Sequence, residues 1–306
     1  MCGIAGIMLF SQSQVSLPSL EKMTNVIAHR GPDGYGHWLS NNGNVGLGHR
    51  RLSIIDLSEN GKQPMHFSDN RYTITFNGEI YNYIEIRDQL KNKGYRFISD
   101  SDTEVLLALY DHKKEKCLQD LDGMFSFVIW DEKEQVLFCA RDRFGEKPFH
   151  YFKDQNQFLF ASEIKQFWAY GIERKVSSKK ANSYIDFDLI DDDNDPETTF
   201  YENVKRLDAA HYMTVSVTGE IVITKYWEID LDAPAFKGTF EQASEIFFEL
   251  LQESVKLRLR SDVPVGSSLS GGLDSSTIVM LIDQLKTGDQ KQNTFSARFK
   301  NYDKDE

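Results

Sequence analysis

Two kinds of apolar pattern divide the chain. Through the first two hundred or so residues the apolar positions come in short runs with turn-like borders: GNVGLGHRRLSII (43–55), RYTITFNGEI (71–80), GMFSFVIWD (123–131), EQVLFCARD (134–142) and QFLFAS (157–162), each with strand composition. GMFSFVIWD is almost unbroken, which predicts a strand covered on both faces. The opening MCGIAGIMLF carries a similar run. It predicts a buried strand at the extreme terminus, with Cys2 at its start. Helices interrupt the strands. Asn82 is placed to cap a helix through Leu90, with Tyr83, Ile86 and Leu90 on one face and Gly94 as the stop. Ser101 and Glu104 are spaced as a capping box before Val105, Leu106, Leu109 and Tyr110. DFDLIDDDNDPETTF (186–200) predicts an exposed acidic loop, and HYMTVSV (211–217) and EIVITKYWEI (220–229) predict two more strands.

LDAPAFKGTF (231–240) has linker character. Beyond it the period changes to that of a helix: Ala243, Ile246, Phe247, Leu250, Leu251, Ser254 and Val255 form one stripe. A short strand in DVPVGSSL, a glycine turn, a helix in STIVMLIDQL and a strand in NTFSARF follow. Runs of strands with grouped helices predict α+β layers first, and the tail reads as the opening of an α/β unit. So few strands cannot bury both faces of an α/β layer, so the second domain is expected to be incomplete.

With 306 residues there is room for about two domains. A net charge of −12, without a lysine or arginine block, argues against a nucleic-acid partner. Three cysteines, Cys2, Cys117 and Cys139, give no disulfide framework and suit a reducing compartment. The chain has neither a bilayer-spanning run nor the basic and long apolar regions of a signal peptide. A cytoplasmic protein without membrane attachment is the expectation.

The most informative chemistry lies in SGGLDSS (270–276). Two glycines permit a tight turn and close approach of a ligand to the backbone. The helix expected to start near Asp274 would offer its N-terminus to phosphate. No lysine follows, so this is not the usual P-loop. A flexible linker is the plain alternative, but linkers are not normally pressed between an apolar strand and an apolar helix.

SGGLDSS resembles the pyrophosphate loop of ATP pyrophosphatases. MCGIAGI, AHRGPDG, RRLSIIDL, FNGEIYN, SDTEV, RDRFGEKP and FASEIK, in that order, resemble the glutamine-hydrolysing asparagine synthetases. The resemblance runs from residue 2 to the end of the chain. It implies a class II glutamine amidotransferase domain over 1–230, folded as a four-layered αββα N-terminal-nucleophile sandwich. A linker over 231–240 and the first part of an α/β adenine-nucleotide-hydrolase-like synthetase domain over 241–306 would follow. The implied substrates are glutamine, aspartate and ATP, with Mg2+. Sugar or peptide acceptors are alternatives, because the discriminating pocket would lie beyond residue 306. A truncated, non-enzymatic subunit of a full-length partner is another. The expected partners are a second copy in a homodimer or a chain supplying the rest of the synthetase domain.

The resemblance makes Cys2 the nucleophile. A free thiol ionises at about 8.5 and needs a base; with Met1 removed, the cysteine's own α-amine, at about 7.7–8.0, supplies one. The Asn77 side-chain amide and the Gly78 N–H are the implied oxyanion donors, although N-G is also a hairpin signal. Arg51 matches the clamp for the glutamine α-carboxylate, with the backbone of Leu52, Ser53, Ile54 and Ile55 lining the same pocket. Asp102 matches the acid that holds the α-ammonium, although a first-turn acid also suits a helix dipole. Glu79 would add pocket backbone. His29 and Arg30 lie in a loop expected near the nucleophile. For the nucleotide, the matching positions are Leu269, Ser270, Gly271, Gly272, Leu273, Asp274, Ser275, Ser276 and Ala297, with Asp274 as one magnesium ligand. The chain departs from the family at D-A-A-H (208–211), where a proline–glycine turn is usual, and in its acidic loop.

Overall fold

The strands of the first unit run, in chain order, β1 (Gly3–Leu9), β2 (Gly34–Leu39), β3 (Val45–Arg51), β4 (Met65–Phe67), β5 (Tyr72–Ile80) and β6 (Gly123–Asp131). They continue as β7 (Val136–Arg141), β8 (His150–Lys153), β9 (Gln157–Ala161), β10 (Val204–Arg206), β11 (His211–Ser216) and β12 (Ile221–Lys225). They belong to a computed structural model that describes residues 1–11, 13–192, 195–286 and 291–298. It divides into two compact units, Met1–Ile229 and Asp230–Glu306.

Two six-stranded sheets form in the first unit, ordered β10-β8-β9-β1-β3-β2 and β12-β11-β7-β6-β5-β4. Strand alternation explains how they stack. Along β6, Val128 and Trp130 join Met8, Leu47 and Phe160 between the sheets, while Phe127 and Ile129 face the opposite way. There they meet α2 (Tyr83–Lys91) and α3 (Asp102–Lys113). On β1, Ile4 and Met8 face inward, while Ala5 and Ile7 pack against α1 (Leu17–Asn25) and α4 (Lys165–Tyr170). The result is an αββα sandwich with three apolar layers. The unbroken runs of β1 and β6 are the signature of strands buried on both faces. Each buried Phe or Ile contributes about 1.5–3 kcal/mol. Cys117 and Cys139 are free and buried.

Several local expectations fail in instructive ways. Asn82 stands at the N-cap of α2 without capping it. Its amide instead donates to the Asp120 carbonyl and accepts from the Asp122 N–H, tying the helix start to the entry of β6. Ser101 caps α3 by accepting from Thr103 N–H, but the box does not close. The Glu104 carboxylate accepts from the Ile98 and Ser99 N–H groups and the Ser99 hydroxyl. It holds the loop leading into the helix. The acidic loop starts later than its composition suggests, because α5 (Ser178–Phe187) takes in its first two residues. Thr199 near its end is buried, and Asp193 and Asn194 lie outside the described residues. In the D-A-A-H turn, Ala210 adopts φ +59°, a left-handed conformation that favours glycine.

The second unit begins with a capped helix. Thr239 and Gln242 form a reciprocal capping box on α6 (Phe240–Arg258). Then come β13 (Gly266–Ser268), α7 (Leu273–Leu285) and β14 (Asn293–Phe295), with β13 and β14 paired in parallel. Phe240, Phe247, Leu250 and Met280 remain exposed on the helices.

Candidate active site

Cys2 immediately precedes β1, which lies between β9 and β3 in the interior of its sheet. The strand that follows it is therefore paired on both sides. The Cys2 carbonyl accepts from Arg30 Nε at 2.8 Å. The Arg30 guanidinium also meets Glu163 at 3.2 Å, and His29 reaches the same carboxylate at 3.0 Å. AHRGPDG and FASEIK thus meet beside Cys2. The Leu52 N–H points at the sulfur, 3.4 Å away, and the thiol lies 3.5 Å from the Leu52 carbonyl. Burial pushes the Cys2 thiol above its ordinary value, opposed by the Leu52 N–H and by the chain's terminal amine.

A cavity of about 80 Å³ opens onto this sulfur. Asn77 and Gly78 line it from within β5, where pairing with β6 continues through Ile80. The hairpin alternative for N-G is thereby set aside. The Asn77 side chain is 1% exposed, and among the described residues its Nδ2 has no hydrogen-bond partner. An unanswered buried donor is costly, and here it lines a cavity that also contains Cys2. Gly78 is required by close approach: a Cβ there would lie 2.2 Å from the Met124 carbonyl and 2.7 Å from the Phe125 Cα.

Arg51 lines the same cavity, and its guanidinium donates to the Ser58 carbonyl at 2.9 Å and to the Asp56 carbonyl. It therefore shapes the 55–58 loop as well as the pocket. Leu52, Ile54 and Ile55 line the wall; Ser53 does not, and its N–H donates to Asp33 at 2.8 Å. Asp102 is the first residue of α3, yet it is buried rather than solvated. One carboxylate oxygen accepts from the Ile80 N–H at 2.9 Å. Burial raises its pKa to about 6, against the N–H groups of Ile80 and Thr103 and with the charge of Glu79. Glu79 lines the pocket too, and burial raises its carboxyl while Lys147 lowers it.

Sequence reasoning missed several wall residues. Gln63 accepts from the Phe76 N–H at 2.6 Å and donates to the Thr103 hydroxyl at 3.3 Å, joining β5 to α3 across the pocket. Lys147 also lines the cavity. Its only sequence signal was its place in RDRFGEKP.

In the second unit, the loop after β13 turns at Gly271, with φ +91°, and Gly272 is the N-cap of α7. The Ser270 N–H donates to the Ser275 hydroxyl at 3.3 Å. Leu269 and Ser296 bind across to each other's strand ends, which brings Ala297 into the same neighbourhood. Space is open around Gly271, and the first turn of α7 presents helix N–H groups, so the loop fits an anionic phosphate. Asp274 lies in that first turn. Among the described residues no group of three or more His, Cys, Asp or Glu side chains is arranged to hold a metal ion.

Residues 1–227 match the family model described as glutamine amidotransferase domain, and residues 247–306 match that of asparagine synthase. Asparagine synthetase [glutamine-hydrolyzing] 1 of Bacillus subtilis is 39% identical over 306 residues, covering 98% of this chain and 46% of that protein. Amidase chry2 of Gibberella zeae is 37% identical over 299 residues, covering 93% of this chain and 43% of that protein. The chain spans about half the length of these curated relatives. The solved structure of the B. subtilis glutamine phosphoribosylpyrophosphate amidotransferase, complexed with ADP and GMP, superposes with a TM-score of 0.56 at 17% identity. That match covers 92% of this chain and 64% of the other, a likeness of fold. The chain belongs to the glutamine amidotransferase domain family, and its residues 247–306 match the asparagine synthase family model.

Proposed function

We propose that the first unit hydrolyses glutamine to glutamate and ammonia, and that the ammonia serves a glutamine-dependent asparagine synthetase reaction. The observation that carries this reading is one small cavity lined by Cys2, a buried amide donor without a hydrogen-bond partner among the described residues, a buried acid and an arginine. Removal of Met1 exposes the Cys2 α-amine, which takes the thiol proton. The thiolate attacks the glutamine amide carbon, and the oxyanion forms against Asn77 Nδ2 and the Gly78 N–H. The proton passes to the departing nitrogen, ammonia leaves, and water cleaves the thioester to regenerate Cys2 and release glutamate. Arg51 receives the α-carboxylate and Asp102 the α-ammonium, with Leu52, Ile54, Ile55 and Glu79 completing the wall.

The same proposal makes residues 1–230 the glutaminase domain, 231–240 a linker and 241–306 the start of the synthetase domain. ATP, when bound, activates the acceptor carboxylate by adenylation and releases pyrophosphate. Leu269 to Ser276 would hold its phosphates and Ala297 would lie near adenine. Asp274 would contribute one ligand to Mg2+, which needs more than a single carboxylate. Aspartate is the acceptor by family. The exposed apolar side chains of α6 and α7 suit coverage by further polypeptide, from this chain's continuation or from a second chain. Among the described residues no helix is long and apolar enough to cross a membrane, which accords with a cytoplasmic site of action.

The test supplies purified chain, shown by mass spectrometry to begin at Cys2, with glutamine, aspartate, ATP and magnesium. Ammonia, asparagine and pyrophosphate are scored separately. Glutamine hydrolysis without asparagine is expected from residues 1–306 alone. Protein beginning at Cys2 that leaves glutamine intact, or full activity with Met1 retained, would overturn the reading.

A further inference from the structure

The proposed hydrolysis gives Lys147 no task, yet its place in the pocket wall is closely fixed. The Asp142 carboxylate accepts from the N–H groups of Phe125, Phe144, Glu146 and Lys147 at 2.9–3.1 Å. The Arg141 guanidinium donates to the carbonyls of Lys147 at 2.8 Å, Gly145 at 2.6 Å and Leu207 at 2.7 Å. Phe125 lies on β6 and is the strand partner of Gly78, so one carboxylate ties the Lys147 loop to the strand paired with the one that carries Asn77 and Gly78. The side chain is 5% exposed. Among the described residues the hydrogen-bond partner of its ammonium is the Met1 thioether, 3.4 Å away, a weak acceptor. A buried ammonium without a paired carboxylate is expensive, and this one sits against the residue whose removal would start the chemistry.

We propose that Lys147 is a positioning residue for the base: fixed beside the N-terminus, its ammonium keeps the Cys2 α-amine neutral once Met1 is gone. The inference rests on the reading of Cys2 as an N-terminal nucleophile. A protonated amine next to a fixed cation is destabilised, and only the neutral amine can take the thiol proton. Burial is the largest influence on Lys147 and lowers its pKa, and the neighbouring charges set how far that goes. Glu79 from β5, with Glu146 and Asp142 from the lysine's own loop, face the ammonium, as does Arg30. Arg30 and Asp33 also face the terminal amine with opposite effects, beside the Cys2 thiol. In the chain bearing Met1, burial is the main influence lowering the terminal amine, and Arg30 and Lys147 act in the same direction.

The experiment compares kcat/KM for glutamine hydrolysis from mildly acid to alkaline pH in wild type, Lys147→Met, Lys147→Gln and Lys147→Arg, all beginning at Cys2. In Lys147→Met the acid limb should move up by about one pH unit, giving roughly a tenfold deficit at acid pH that fades on the alkaline plateau. Lys147→Arg should keep the wild-type limb. Lys147→Gln carries the same expectation if Lys147→Met does not fold. An acid limb unmoved in the uncharged variants, or an equal loss at every pH, overturns the proposal while leaving the glutaminase reading intact. A wild type that hydrolyses no glutamine overturns both.

Discussion

The Cys2 pocket of the first unit and the glycine loop of the second are built on opposite principles. The pocket is made of strand interiors: Asn77 and Gly78 belong to a paired strand, Asp102 is buried at a helix start, and Gln63 joins the two. Gly78 is where it is because β6 leaves no room for a Cβ. The loop at Ser270–Ser276 is mostly exposed, turns at a glycine of positive φ and has open space around that residue. The first arrangement is preorganised, with donors and charges fixed before substrate arrives. The second offers a backbone shape and a helix end to a ligand that must supply much of the order itself. On the proposed function, the buried site should act within its own unit, whereas the exposed loop with one acidic residue should need further ligands to hold a nucleotide.

If the pocket is complete, deleting its nucleophile should have the largest effect. Cys2→Ala should lower glutamine hydrolysis by roughly 10⁴-fold or more, while circular dichroism and the thermal midpoint stay unchanged. A residual rate near wild type would show that the cavity is not the reaction site. Asn77→Ala comes next. Its donor serves a charge that exists only during reaction, so kcat should fall by about 10²–10³-fold with KM little changed. A rise in KM alone would make Asn77 a binding group and remove the preorganised half of the contrast.

The sequence made the same contrast legible, but unevenly. Strands buried on both faces, such as β1 and β6, announced themselves as unbroken apolar runs. β4 and β10, at three residues each, carried no period to read. Cys2, Arg51, Asn77, Gly78 and Asp102 reach one cavity from segments far apart in the chain. Only the ordered set of motifs, through family resemblance, indicated that they would meet. Asn82 and Glu104 show why capping arguments fail locally: both side chains found partners in neighbouring loops that single-sequence spacing does not place. Lys147 was invisible because a lone lysine in a loop looks like a solvated one until its loop is closed over it by Asp142 and Arg141.

Asp102 tests whether the pocket sacrifices stability for readiness. Its folded-state pKa of about 6 lies above the ordinary 3.8, so its ionisation opposes folding. The cost is absent below the ordinary value and grows as pH rises through the folded one. Asp102→Asn should therefore be more stable than wild type at neutral pH by about 1–3 kcal/mol, with the gap closing in acid. The same variant should bind glutamine about 10- to 100-fold more weakly, because a charge-assisted contact of about 1.5–3 kcal/mol is lost. In wild type, KM should rise as pH falls through about 6 and this carboxylate protonates. Greater stability with unchanged KM would assign Asp102 to the fold alone.

The smallest effect is expected at Gly271. A Cβ there meets nothing within 4 Å, so the only obstacle to alanine is the φ of +91°. That conformation costs a non-glycine residue about 1–2 kcal/mol, and an exposed loop can relax away part of it. Gly271→Ala should leave glutamine hydrolysis unchanged and move the main thermal transition little. Binding of inorganic pyrophosphate, measured by calorimetry on residues 1–306, should be weak in both proteins. Where it is detectable, it should differ by no more than about tenfold, the ratio that 1.4 kcal/mol supports. A sharp pyrophosphate site in the wild type that alanine abolishes would show the loop to be as preorganised as the pocket. The contrast between a finished site and a shape awaiting its ligand would then have to be withdrawn.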